Sequence, residues 1–269
     1  MDSKLNQLQT LLPAGLLVDG AWLSHRGYYS SLVAKYVSSG WLEQPTRGAY
    51  RRAGTAPLGG EEAWASVVLS LQRLRPPLPV LGGRTALELL GFGHYLSPTG
   101  PYELHLYGRD VPPLWVRRLL GEPLVFHRAR LFTDDPVAGS VARPERDGDH
   151  IRRLDRDGLL GLVSVSTAER AFLELLDEVP QAASFHEADK LVEGLTTLSP
   201  RRLSYLLASC RSVKVKRLAL WFADRHQMPW ASHLDRQAVD LGQGNRVLVP
   251  GGRLDRTYKI TVPREMERV

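Results

Sequence analysis

The segment SSLVAKYVSSGWLEQPTRGAYRRAG, residues 30–54, changes its hydrophobic period halfway along. Its first half places Leu32, Val33, Tyr36 and Val37 on one side of a helix. Ser30 or Ser31 is expected to cap that helix, and Gly40 to close it. The second half is extended. Trp41-Leu42-Glu43 and Ala49-Tyr50-Arg51-Arg52 flank Pro45-Thr46-Arg47-Gly48, whose proline and glycine suit a tight turn. A helix running straight into a hairpin is the second half of a winged helix-turn-helix.

The residues before it supply the first half. Leu5, Leu8, Leu11 and Leu12 recur at helical spacing until Pro13 and Gly15. Asp19 is expected to cap a second helix carrying Ala21, Trp22 and Leu23 and ending near Gly27. Residues 1–54 are therefore read as a winged helix-turn-helix, with Trp22, Tyr36, Trp41 and Tyr50 assigned to its core. The outer face of the third helix is Ser31, Ala34, Lys35 and Ser38. Small side chains let a helix enter the major groove, about 12 Å wide, where a lysine reaches a phosphate or a guanine edge. Arg47 at the wing tip, with Arg51 and Arg52 on the return strand, suits a narrow minor groove or flanking phosphates. The segment holds six basic residues (Lys4, Arg26, Lys35, Arg47, Arg51, Arg52) against three acidic ones, so double-stranded DNA is the expected partner. The same fold used only for protein contacts stays open as an alternative.

The rest of the chain is long enough for one or two further domains: it has 269 residues, 43% hydrophobic and 24% charged, with net charge +6. That excess favours polyanions through counterion release. The single cysteine, Cys210, cannot form an internal disulfide, which suits a reducing cytoplasm. No stretch approaches the roughly 20 apolar residues of a membrane span, so no membrane partner is expected. The opening MDSKLNQLQTLLPAG reads as an amphipathic helix and not as a signal peptide.

After a linker, TAPLGG (55–60), helices and strands alternate. Helices are expected over 61–74 (Trp64, Val67, Val68 and Leu71 inward), 84–90 and 112–120, and strands over 102–107 and 124–132. Residues 61–165 are thus read as a mixed α/β domain. Residues 166–269 are read as mainly helical. A strand at 162–165 precedes a Ser166-x-x-Glu169 capping box, and helices follow over 185–195, 201–209 and 214–226. A terminal hairpin is expected to pair 246–250 with 253–262 across Gly251-Gly252, with Tyr258, Ile260 and Val262 on one face. The overall class is α+β: an N-terminal winged helix followed by a larger mixed α/β body.

Enzymatic motifs are sparse. Gly82-Gly83-Arg84 before a helix can cradle an anion, but it lacks both the phosphate-loop and the dinucleotide spacing and is read as a turn. His94, His105 and His127 are read as separate surface or strand residues, without metal-ligand spacing. A nuclease needs clustered carboxylates and a lysine; Asp155, Asp157, Asp255 and Lys259 are the set on offer, in what reads as a charged loop and a hairpin. No enzyme activity, cofactor or metal is expected. Between 201 and 225 lie seven basic residues (Arg201, Arg202, Arg211, Lys214, Lys216, Arg217, Arg225) against one acid, Asp224. They are read as a second basic patch for DNA or an acidic partner, or else as a solvated helical face.

The chain also resembles AbiEi-type antitoxins of type IV (abortive-infection) toxin–antitoxin systems. The resemblance is carried by SGWLEQPTRGAYRRAG (39–54), LGGRTALELLGFGHYL (81–96), STAERAFLELLDEVP (166–180), EGLTTLSPRRLSYLLASCRSVKVKRLALWFADRHQMPW (193–230) and GGRLDRTYKITVPRE (251–265). It implies a winged helix that binds inverted repeats in its own promoter and represses the operon. It further implies a body that counters a neighbouring nucleotidyltransferase-like toxin, without need of a stable complex. A stand-alone transcriptional regulator with a ligand-sensing or dimerising body, and a DNA-targeted nuclease, are the competing readings.

Overall fold

The computed structural model describes residues 4–54, 61–74, 79–93, 103–121, 124–133, 135–138, 150–155 and 162–266, the side chains of 61–63 excepted. The linker at 55–60, His94, Asp134, Asp157 and most of the charged loop at 140–157 lie outside the described residues. The N-terminal unit runs α1 (Lys4–Leu11), β1 (Val18–Asp19), α2 (Gly20–His25), α3 (Ser30–Ser38), β2 (Leu42–Thr46) and β3 (Ala49–Arg52). The hairpin forms where Pro45 and Gly48 predict it. It gains a third strand that no sequence pattern announces, because β1 is two residues long; the antiparallel order is β1-β3-β2. Asp19 caps α2 by accepting from the Trp22 amide at 2.8 Å. The expected serine cap of α3 is absent: Tyr29 holds the cap position with no side-chain bond, and Ser30 is already helical.

The body runs α4 (Glu61–Leu74), β4 (Val80–Leu81), α5 (Gly83–Leu89), β5 (Leu104–Gly108), α6 (Leu114–Leu120), β6 (Leu124–Arg128), β7 (Ile151–Leu154), β8 (Val163–Ser166) and α7 (Ala168–Glu178). It continues with α8 (Phe185–Glu193), α9 (Pro200–Ser209), α10 (Val213–Arg225), β9 (Arg253–Asp255) and β10 (Ile260–Val262). Five strands form a mixed sheet in the order β6-β5-β4-β8-β7. β5 and β6 are parallel and joined through α6, while β4 runs antiparallel to β5 and parallel to β8. β7 is a correction: the sequence reads it as part of a charged loop, yet Ile151 turns inward while Arg152 and Arg153 stay in solvent, an edge strand beside β8.

One apolar core extends from Leu8 in α1 to Met266. β8 and α7, which the sequence reading divides at 165, share it. The N-terminal unit is joined to the body through the same core and through the Leu17 amide, which donates to Ser70 Oγ at 2.8 Å. Two local expectations change. α7 is capped by Thr167, because Ser166 still belongs to β8; Glu169 instead accepts from the Ser199 amide at 2.7 Å and pairs with Arg202. A capping box does form at α8, between Ser184 and Glu187. The terminal hairpin closes over residues 256–259, since the Asp255 carboxylate accepts from the amides of Thr257 and Tyr258. Arg246 only bridges Ile260.

Candidate nucleic-acid interface

Helix α3 buries Val33 and Tyr36 and exposes Ser31, Ala34, Lys35 and Ser38, so those four share the outer face. The wing presents Arg47 at its tip, exposed. The other two wing arginines do not join it. Arg51 is buried and points across the hairpin to Glu43, with Nε and Nη2 at 2.8 and 2.7 Å from the carboxylate. Glu43 also accepts the Gly54 amide at 3.2 Å. Arg51, followed by that amide, holds the carboxyl below its usual range. Arg52 is half-buried and turns its Nη1 back to the carbonyl of Gln9 at 3.3 Å. Lys35 and Arg47 thus remain as the outward cations of the assigned DNA-facing set.

The structure adds groups from elsewhere. Arg118 on α6 is exposed and donates to the Arg47 carbonyl at 3.1 Å, with Arg117 exposed beside it. Trp115 and Val116 anchor that helix in the core, which places the Arg117-Arg118 pair next to the wing. The two lie far from the wing in sequence, and the basic pair on an otherwise apolar helix was the only available cue. Tyr29 and Trp41, at the two ends of α3, are 66% and 49% exposed. Trp41 is therefore a surface group and not a core one.

The second basic stretch does not form one surface. Arg202 pairs with Glu169 at 3.0 Å, and Lys214 donates to the carbonyls of Asp177 and Val179. Arg225 pairs with Asp189 at 2.8 Å. Lys216 and Arg217 are buried, and Arg217 donates to the carbonyls of Leu241, Gly244 and Lys259 at 2.8, 2.7 and 3.0 Å. Arg201 and Arg211 are the two that stay exposed. The helical period turns the rest inward, and acceptors distant in sequence meet Arg202, Lys214, Arg217 and Arg225.

Buried polar groups collect around α7. Arg170 is fully buried and holds both oxygens of Asp135 at 2.7 and 2.9 Å and Glu174 at 2.7 Å. The Gly83 amide donates to the other Glu174 oxygen at 2.9 Å, so the anion that this glycine turn cradles is the protein's own. A side chain at Gly82 would run into Glu174 and Tyr107. Beyond it, His105 and His127, read as separate from sequence, face each other at 3.0 Å across β5 and β6. Burial opposes charge on His105, but the carboxylates of Glu178 and Glu103 outweigh it and raise its pKa; burial lowers that of His127. Among the described residues, the nuclease set is not assembled. Asp155 follows β7 in the large sheet, whereas Asp255 and Lys259 belong to the small hairpin at the other end of the chain.

No curated protein sequence matches the chain. The crystal structure of the Rv2827c protein from Mycobacterium tuberculosis is similar with a TM-score of 0.52 and 14% identity, over 95% of this chain and 88% of that one. At that identity the likeness speaks for the mixed α+β fold. Two family models cover nearly all of the chain. One, described as the N-terminal domain of AbiEi antitoxin transcriptional regulators, matches residues 1–98. The other, described as a transcriptional regulator, AbiEi antitoxin of type IV toxin–antitoxin systems, matches residues 102–263. Matches of that extent show that this chain belongs to the AbiEi family of antitoxin transcriptional regulators of type IV toxin–antitoxin systems.

Proposed function

We propose that the chain binds inverted repeats in the promoter of its own operon through α3 and the wing, and counters a neighbouring nucleotidyltransferase-like toxin through its body. The observation that carries the DNA half is the small, polar outer face of α3 beside an outward Arg47 backed by Arg118. A helix face without bulk enters the major groove, and cations flanking it meet phosphates on either side. Each inverted half-site takes one copy of the chain. The toxin half rests on family membership alone.

Each half has its own test. In a gel-shift assay at physiological salt, the full chain is expected to bind the DNA upstream of its operon more tightly than a scrambled duplex of the same length. Equal affinity for the two sinks the operator assignment. Co-expression with the product of the adjacent gene is expected to restore growth; persisting arrest sinks the antitoxin assignment.

A further inference from the structure

We infer that His105, His127 and Glu178 form a binding site for one divalent transition-metal ion of the zinc class. This goes beyond the proposed function and does not depend on it. The site arises from strand period and register. His105 and Tyr107 alternate on β5 and so share a face, and His127 on β6 sits directly opposite Tyr107. Glu178, in the last turn of α7, reaches the same point from the helix packed above.

Three ligand atoms converge there. His105 Nδ1 lies 3.0 Å from His127 Nε2 and 3.2 Å from Glu178 Oε1, and His127 Nε2 lies 3.5 Å from that oxygen. Zinc bonds of about 2.0 Å in a tetrahedron require ligand atoms roughly 3.3 Å apart. The observed triangle is one face of such a tetrahedron. Among the described residues, no other three His, Cys or carboxylate side chains converge in this way.

The surroundings match a metal site in two further respects. Glu103 Oε2 lies 3.1 Å from His105 Nε2, so a carboxylate holds the far nitrogen and leaves Nδ1 to face the centre. The Tyr107 hydroxyl donates to Glu178 Oε1 at 2.7 Å and fixes the carboxylate ligand. A cavity of about 400 Å³ opens beside two of the three ligands, His127 and Glu178, with Arg128, Arg170, Asp177 and Gln181 also on its wall, and a water from it would supply the fourth ligand. Two imidazoles with one carboxylate favour zinc, cobalt or nickel over magnesium or calcium, which take oxygen ligands. Sequence motifs miss the set because Glu178 lies 73 residues from His105.

The test uses the full chain, freed of metal by dialysis against a chelator and then titrated with Co²⁺ and Zn²⁺. One equivalent of Co²⁺ is expected to bind with the intense visible absorption of a four-coordinate site. Zn²⁺ is expected to displace it and to raise the thermal midpoint. Glu178→Gln and His127→Gln, each checked for folding by circular dichroism without metal, are expected to lose the band. Glu103→Gln, which changes only the positioning of His105, is expected to weaken affinity about 10- to 100-fold while keeping the spectrum. No stoichiometric uptake by the folded wild-type chain overturns the site, whatever the variants do. Unchanged uptake in folded Glu178→Gln and His127→Gln also overturns it, by placing the metal elsewhere.

Discussion

Residues 30–54 and residues 201–225 are both basic, yet folding leaves two of four cations outside in the first (Lys35, Arg47) and only two of seven in the second (Arg201, Arg211). In the N-terminal unit, Lys35 and Arg47 stay outside, on elements that turn Val33, Tyr36, Leu42 and Ala49 into the core. Across α9 and α10, Arg202, Lys214, Arg217 and Arg225 reach acceptors contributed by α7, α8 and the segment after residue 240. A count of basic residues is therefore not a field. What matters is whether a carboxylate or carbonyl far away in sequence arrives at each cation.

The strongest way to break that division is Arg217→Met. If its three carbonyl bonds hold the chain after residue 240 onto α10, the variant loses about 3 kcal/mol of unfolding free energy in urea, since hydrogen bonds to a charged group contribute roughly 1.5–3 kcal/mol each and are not additive. Promoter affinity and its salt dependence are expected to stay as in the wild type. A stable variant with a weakened salt slope would return α10 to the DNA interface.

The mirror experiment is Lys35→Ala and Arg47→Ala. Both are exposed, so stability is expected to move by less than about 0.5 kcal/mol. Promoter binding is expected to weaken by about 1–3 kcal/mol where the side chain reads a base. Unchanged affinity in both variants would remove α3 and the wing tip from the interface. Arg118→Ala sharpens the same boundary with a smaller effect. As a phosphate contact it would weaken all duplexes alike and lower the salt slope by about one unit, without altering sequence preference.

What was readable in the sequence divides along a related line. Elements set by local chemistry are legible: Asp19 as a cap, the Pro45–Gly48 turn and the inward side of α4. Elements set by a distant partner are not. β1 is a strand only because β3 lies beside it, and β7 only because β8 does. Ser166 and Glu169 have capping-box spacing, but the strand claims one and Ser199 the other. The outer face of α3 follows from its period alone, so that part of the candidate interface was visible. The fate of Arg51 was not, since nothing in the spacing of Glu43 and Arg51 says that they pair across the hairpin. For the same reason the His105–His127–Glu178 cluster escapes any motif, although Glu103-x-His105-x-Tyr107 shows strand alternation of polar groups on one face.

Arg51 supplies the mildest and most local test, because it lies within the N-terminal unit yet is paired like the cations of the body. Its bond to Glu43 lowers that carboxyl's pKa, with the Gly54 amide adding to the effect. A carboxyl with a folded pKa below its unfolded value of 4.5 favours the deprotonated folded state. Its contribution is therefore fully present above the unfolded value and is lost as pH falls through the folded one. The Glu43 side chain is 39% exposed, so solvent screening keeps the contribution to about 1 kcal/mol or less. Wild type and Glu43→Gln are expected to differ in thermal midpoint at neutral pH and to converge below the folded pKa of Glu43. Arg51→Ala is expected to lower the neutral-pH midpoint and to flatten the same dependence. If Arg51→Ala instead leaves stability alone and costs promoter affinity, Arg51 faces DNA and the wing contributes its return strand as well as its tip.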